Sequence, residues 1–338
     1  MSQLIKNKRG VAATFLWIFV AIAGAIILIF FISFAAKHGE SSSTVTNIVY
    51  LDTVSNIITN FAVSLEADKS VQLPTKIEVY FDCEGLLMVA KERDFTKKIP
   101  NNIVFGTERF LDNEILLWTV PWKLPYTITN LIYVTSPHVK YFLIYDSSSQ
   151  QLVNDIKSQI PARFKVEVVD VNNLRSLEPI DKDAQLRSYY KNKFVFFTEP
   201  KLIQEISEMK TPATIVEIKP GDYGQIIYHL NNSEKSINYI SKELIYGAIF
   251  VDDPETYQCL VQKSLDKVGQ IASLYAEKAR LLQIKSTQQN CLYTETKNTL
   301  EKQQQSAKSL NTEEVFLTSS QLVEQNRHLD NQGCSLIF

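Results

Sequence analysis

Asp146-Ser147-Ser148-Ser149 is the stretch of the chain best suited to meeting a ligand. It follows the apolar run Tyr141–Tyr145, which reads as a buried strand, and in open α/β sheets ligands favour the carboxyl edge of the strands. A carboxylate with neighbouring hydroxyls there could hold a divalent cation through oxygen. The same residues also suit a helix start, because Asp and Ser oxygens accept the free amides of a first turn. Glu199 follows Phe194–Phe197, and Asp252 follows Leu244–Val251, both read as strands. Asp146, Ser148, Glu199 and Asp252 therefore form the candidate ligand-binding set, with Asp222 and Asp253 as further acids that serve equally as caps.

Nothing in the chain spells out a reaction. There is no nucleophile elbow, Walker loop or dinucleotide fingerprint. His138 and His229 stand singly in strand-like surroundings, and no spacing offers a zinc centre. The expectation is no catalytic residue, no cofactor and no metal ion. Lys plus Arg total 35 against 37 Asp plus Glu, a net charge of −2, which removes the basic footprint of a dedicated nucleic-acid binder. Hydrophobic residues make up 45% and charged residues 21%, a globular composition.

Four cysteines occur, Cys83, Cys259, Cys291 and Cys334, none in a C-x-x-C pair. An even number outside the cytoplasm permits disulfides, and four cysteines allow three pairings. Cys259 and Cys291 bracket a long helix and are the candidate pair. Asn231-Asn232-Ser233 is a glycosylation sequon.

Two resemblances attach to short motifs. D-x-S-x-S at a strand end is the metal-adhesion pattern of von Willebrand A domains; Asp146 and Ser148 match it, and Gln150 stands where the second Ser would be. Residues Lys6–Phe15, KNKRGVAATF, resemble the class III signal of archaeal type IV pilin-like, membrane-anchored surface proteins. That resemblance implies a cut after Gly10 and a helix that then serves as anchor or filament core. Phe15 occupies the position where many pilins carry Glu.

These residues need a framework to place them. Val11–Ala36 carries no charge and spans ~39 Å as a helix, more than the ~30 Å hydrocarbon core. It is too long for a signal-peptide core and reads as a retained transmembrane helix. Lys6, Lys8 and Arg9 precede it, while Lys37, His38 and Glu40 follow. The positive flank puts the N-terminus in the cytoplasm and the bulk of the chain outside. Ala21 and Ala25 make a small-xxx-small pair that lets another helix approach.

After a polar break at Gly39–Ser43, Leu51, Val54, Ile58, Phe61 and Leu65 repeat at spacings of three and four. That stripe predicts an amphipathic juxtamembrane helix, packed on its own domain or on a partner helix. Lys76–Asp82 and Leu86–Ala90 predict a hairpin turning at Glu84-Gly85, and Ile115–Val120 and Ile128–Val134 further strands. Trp118, Pro121, Trp122, Pro125 and Tyr126 gather aromatics that pack a loop on a core, rest at the membrane interface or meet a sugar ring.

Between Val139 and Pro220 a strand–helix–strand unit occurs twice: Tyr141–Tyr145, Gln150–Ile160, Phe164–Val171, then Phe194–Phe197, Pro200–Met209, Thr214–Ile218. This is the pattern of a parallel α/β layer, with Tyr223–His229 and Leu244–Val251 as added strands. Asp253 caps a helix opening at Pro254. Its seam is Val261, Leu265, Val268, Ala272, Tyr275, Ala279 and Leu282. Beyond Lys285 the polar composition, Gln303-Gln304-Gln305 included, predicts one marginal helix and an otherwise mobile tail.

The fold class is α/β: a transmembrane helix, a β-rich segment, an extracytoplasmic α/β domain and a long C-terminal helix. The expected segments are 1–10, 11–36, 37–73, 74–135, 136–253, 254–285 and 286–338. The functional expectation is a single-pass structural or binding protein of the cell surface, in contact with lipid and with protein partners through its transmembrane and exterior helices. The alternative is a membrane-tethered α/β domain that uses the strand-end edge to bind a ligand or a divalent metal ion, or to act as an enzyme.

Overall fold

The computed structural model describes residues 6–64, 67–90, 93–99, 101–177, 191–208, 213–230, 233–285, 291 and 293–338. The chain divides into two compact units, Met1–Tyr50 and Leu51–Phe338. Helix α1, Lys6–Phe61, runs without interruption, so the expected break at Gly39–Ser43 does not occur. Gly and Ser each disfavour a helix by at most about 1 kcal/mol relative to Ala, too little to end one this long.

In the first unit, Trp17–Phe34 has a mean hydropathy of 2.8 and none of it is buried. Its large apolar side chains, Phe30, Phe31 and Phe34 among them, are exposed. One helix is thus long and apolar enough to cross a membrane.

In the second unit, Leu51, Val54 and Ile58 are buried. The amphipathic stripe is therefore covered by its own unit rather than left for a partner helix; Leu65 lies outside the described residues. Asn130 Nδ2 donates to Ala62 O at 2.8 Å, and Lys97 Nζ meets Asp52 Oδ1 at 2.7 Å.

Six strands form the first sheet: β1 (Ala67–Phe81), β2 (Gly85–Ala90), β3 (Arg93–Lys98), β4 (Ile103–Gly106), β5 (Arg109–Lys123) and β6 (Thr127–Thr135). Their order is β3-β2-β1-β5-β6-β4. All neighbours are antiparallel except β4 beside β6. The expected hairpin is β1–β2, its turn fixed where Asp82 Oδ1 accepts the amides of Glu84 and Gly85 at 2.7 and 2.8 Å. Trp118, Trp122 and Tyr126 are buried, so they pack the core and are not available to a membrane interface or a sugar. The indole N–H of Trp122 donates to Ser241 Oγ at 2.9 Å.

The second sheet contains β7 (Val139–Tyr145), β8 (Lys165–Asp170), β9 (Lys191–Phe196), β10 (Ala213–Lys219), β11 (Tyr223–Leu230) and β12 (Ser233–Ile240). Its order is β12-β11-β10-β9-β7-β8. The repeated unit yields four parallel strands, extended by two antiparallel ones. Helix α2 (Gln150–Gln159) packs Val153 and Ile156 with Tyr141, Leu143 and Val195. On the opposite face Phe142, Ile144, Phe194 and Phe196 pack with Val171, Leu174 and Ile206. Ile206 belongs to α3 (Ile203–Ser207), shorter than the expected Pro200–Met209. Cover on both faces is why these strands are apolar throughout.

Leu244–Val251 is a correction. It is helix α4 (Ser241–Phe250), not a strand, and every residue from Leu244 to Phe250 is buried. It touches β4 and β6 of one sheet and β10, β11 and β12 of the other. A helix enclosed all round loses its apolar periodicity and reads as a buried strand. The strand in this region is β12, which precedes it.

The expected mobile tail is the second correction. Helix α5 (Pro254–Lys285) is followed by α6 (Tyr293–Lys308) and α7 (Thr312–Asn331). Asp253 Oδ2 caps α5, accepting the Thr256 amide at 2.7 Å. Val261, Leu265, Val268, Ala272 and Ala279 of the predicted seam are buried. Thr296, Thr299, Leu300, Gln303 and Ser306 of α6 and Val315, Thr318, Ser319 and Leu322 of α7 are buried with them. The chain ends against these helices, with Lys278 Nζ donating to Ile337 O at 2.7 Å and Asn326 Nδ2 to Phe338 O at 2.9 Å.

The cysteines pair as Cys83–Cys259 and Cys291–Cys334, not Cys259–Cys291. The first bridge joins the β1–β2 turn to α5, and the second ties the entrance of α6 to the segment after α7. A Cys259–Cys291 bridge would have to close over the 26 residues of α5 that follow Cys259, about 39 Å at 1.5 Å per residue, against the ~6 Å between bridged Cα atoms. Asn231 and Asn232 of the sequon lie outside the described residues.

Candidate ligand-binding sites

Strand β7 pairs with β8 on one side and β9 on the other. The connection leaving β7 turns to one neighbour and that leaving β8 crosses to the opposite one, while α2 and α3 cover opposite faces. The carboxyl ends of β7 and β9 thus flank a topological switch point, where open α/β sheets place ligands. Asp146 and Glu199 both lie there.

Asp146 Oδ1 accepts the amide and hydroxyl of Ser148 at 2.9 and 2.7 Å and those of Ser149 at 3.0 and 2.9 Å. Its Oδ2 accepts from Thr198 Oγ1 at 2.8 Å, bridging β7 to β9. These donors, the Ser148 hydroxyl foremost, hold the carboxyl well below the usual carboxylate range. A charge so surrounded is stabilised by the loop itself. The arrangement is a rigid turn that launches α2, with Ser149 at its N-cap. Glu199 is exposed beside it. A cavity of about 440 Å³ opens at this edge, lined by Val171, Asn172, Leu174, Lys201 and Leu202.

Asp252 is not part of this edge. It sits by the amino end of β9, where Lys191 Nζ approaches Oδ2 at 2.9 Å and Lys193 Nζ stands 3.8 Å from Oδ1. The Glu108 amide also donates to Oδ2, at 3.2 Å. Lys193 is completely buried. Its ammonium donates to Val251 O, which also accepts from Tyr228 Oη at 3.0 Å, and lies 5.5 Å from the centre of the Tyr228 ring. Burial pushes the Lys193 amine down to about 7, with Asp252 opposing the shift. The expectation that Asp252 lies at a strand end fails because Leu244–Phe250, expected as an added strand, belongs to helix α4. Among the described residues no group of three His, Cys, Asp or Glu is gathered to hold a metal ion.

His138 is not isolated. Its Nδ1 contacts Asp112 Oδ2, which also accepts from Ser136 Oγ. The fully buried Asp112 takes the amides of Asn113 and Glu114 at 2.7 and 3.2 Å on its other oxygen. The Ser136 hydroxyl and the His138 ring both bond to the same Asp112 oxygen, which is not the order of a Ser–His–Asp relay, where the hydroxyl bonds to the imidazole and the imidazole to the carboxylate. The trio pins the β6–β7 turn to β5. Asp112 lies 24 and 26 positions before Ser136 and His138, and no local motif announces the trio. His229 is likewise held between Glu217 and Glu234 on the flanking strands, at 3.2 and 3.0 Å.

A second cleft lies elsewhere, in a region the sequence reads as tail. It measures about 820 Å³ and runs between the first half of α6 and the second half of α7, past Glu295, Thr299, Gln321, Glu324, Gln325 and His328. Comparison with protein-family models, with curated proteins and with solved structures finds no match for this chain.

Proposed function

We propose that this chain is a single-pass membrane protein that displays its disulfide-bridged α/β domain outside the cytoplasm, as a structural or binding subunit of a cell-surface assembly. The observation that carries the reading is the pairing of all four cysteines within the second unit. Disulfides persist in oxidising compartments and are rare in the cytosol. The exposed apolar segment Trp17–Phe34 supplies the anchor. The flank of Lys6, Lys8 and Arg9 gives the same orientation. A pilin-like role is the finer form of this reading: a cut after Gly10 frees α1 to act as anchor or filament core, with Ala21 and Ala25 permitting close helix approach.

The intact mass of native, detergent-extracted protein, with and without reduction, tests it. The expected result is a gain of four hydrogens on reduction and protease sensitivity of the domain from the outside of intact cells. Free thiols in the native chain overturn the exterior placement. Loss of residues 1–10 from the mass selects the pilin-like form.

The ligand-binding alternative is favoured by one observation, the cavity at the carboxyl edge lined by Val171, Asn172, Leu174, Lys201 and Leu202. Its occupant there would be a small molecule meeting a lysine amine and an apolar wall.

A further inference from the structure

We infer that the Cys83–Cys259 disulfide is a thiol-exchange site: an external dithiol opens it while Cys291–Cys334 stays closed, and the opening frees the β2–β3 ribbon from α5. The two bridges differ in access. Cys291 and Cys334 are 3% and 8% exposed and belong to the main core. Cys83 and Cys259 are half-buried, with Cys83 packed on the rim of that core. Exchange requires a thiolate to reach a sulfur, so a buried bridge resists it and an exposed one is labile. The outer bridge also has a cation at its side. Lys263 follows Cys259 by one helical turn, on the same face of α5. Its Nζ donates to Cys83 O at 2.5 Å and to Glu84 Oε1 at 3.2 Å, and Lys98 meets the other oxygen of Glu84 at 3.8 Å. An ammonium so placed stabilises whichever thiolate leaves.

Opening has a defined structural consequence. Helix α5 packs chiefly on β4, β6 and β12. Among the described residues, the bridge and the two Lys263 bonds are the covalent and hydrogen-bonded ties between α5 and the β1–β2 turn. Strand β1 is secured without them, because it pairs along β5 from Ala67 to Tyr80. Strand β2 pairs with β1 over Glu78–Phe81 alone, and β3 is the outermost strand. The turn keeps its own shape through the amide bonds to Asp82 Oδ1. The ribbon is thus an edge element with few bonds to the body of the sheet, the kind that opens locally at low free energy. In the exchange, the attacking thiolate forms a mixed disulfide with one cysteine and expels the other as a thiolate. The second thiol of the reductant then displaces the first cysteine and closes a disulfide on the reductant. Two electrons and two protons pass to Cys83 and Cys259.

The test is timed reduction of the full chain in detergent with dithiothreitol. The chain is first oxidised with glutathione disulfide, so that the result does not depend on the compartment it came from and is separate from the test of exterior placement. Iodoacetamide traps the freed thiols and peptide mapping locates them. Cys83 and Cys259 are expected to be alkylated at least about tenfold faster than Cys291 and Cys334. Hydrogen exchange in the half-reduced chain is expected to accelerate in β2 and β3 and to stay unchanged in β7 and β9. The double variant Cys83→Ser, Cys259→Ser is expected to fold and to show the same exchange pattern. Equal rates at the two bridges, or earlier opening of Cys291–Cys334, overturns the exchange site. Protection of β2 and β3 that survives opening, or a double variant that fails to fold, overturns the release of the ribbon.

Discussion

Gly247 of α4 lies against the ring of Phe105 in β4 so closely that a Cβ on it would stand 2.5 Å from Cδ1 and 2.6 Å from Cε1. This contact sets how near the central helix approaches the first sheet. Phe250, three residues on, packs its ring 5.1 Å from that of Tyr141 on the second sheet, so α4 has no direction in which to retreat.

Gly247→Ala therefore reverses the usual helix rule. In an exposed helix interior the change gains about 1 kcal/mol. Here the added methyl displaces a buried ring, and overpacking of that kind costs roughly 1–3 kcal/mol. Chemical denaturation of the two proteins at equal pH measures the difference. A more stable Gly247→Ala protein would show that α4 is not confined between the sheets.

Lys193 makes stability depend on pH in a defined window. Its amine is depressed to about 7 by burial, while the unfolded chain titrates near 10.4. Between these values the unfolded chain binds a proton that the folded one does not, so stability rises with pH, with a limiting slope of about 1.4 kcal/mol per unit. Below about 7 both states are charged and the slope from this residue vanishes. Lys193→Met is expected to flatten the profile from pH 7 to 10. An unchanged slope in the variant assigns the dependence to other groups.

Asp146 acts in the opposite sense. Its folded carboxyl is held below the usual range, so its contribution is complete above the unfolded value, about 3.9, and is lost as pH falls further. Asp146→Ala is expected to lower the melting temperature at neutral pH and to narrow the gap from wild type in acid. The serine donors and Thr198 already surround this carboxylate, so calcium or magnesium is expected to leave the wild-type melting temperature unchanged. A cation-induced rise that disappears in Asp146→Ala would restore the metal-adhesion pattern of the D-x-S-x-S stretch.

What the sequence discloses follows from where each residue's partners lie. The doubly repeated strand–helix–strand unit was legible because strands such as Phe194–Phe197 are apolar on both faces and bounded by Thr198-Glu199-Pro200. Asp146 was legible as a turn residue because its serine donors are two and three positions away, whereas its Thr198 donor, 52 positions on, was not. Asp252 was misplaced because Leu244–Phe250, enclosed on all sides, carries neither a 3.6 nor a 2 period. Beyond Lys285 the composition announces one marginal helix and not the two, α6 and α7, because Thr296, Thr299, Gln303, Thr318 and Ser319 occupy buried positions that Leu or Val normally fills. The Asp112–Ser136–His138 trio and the α6–α7 cleft depend on contacts between distant segments.

Gln303 is the sharpest case, because composition alone marks it as part of a solvated Gln run. It is fully buried. Its Oε1 accepts from Tyr126 Oη at 2.6 Å, and its Nε2 donates to Ser319 Oγ at 2.8 Å and to Leu124 O at 3.3 Å. Ser319 in turn donates to Val315 O at 2.6 Å. One side chain thus joins the β5–β6 turn, α6 and α7 through a satisfied polar network. Gln303→Leu keeps much of the volume but leaves a buried tyrosine hydroxyl and a carbonyl without partners, and each such group costs about 1–3 kcal/mol. The expected loss is therefore roughly 2–5 kcal/mol, read by denaturation, with faster hydrogen exchange in α6 and α7 than in β7 and β9. A loss under about 0.5 kcal/mol, the level of an ordinary surface substitution, would mean that Gln303 faces water and that the C-terminal helices do not pack as described.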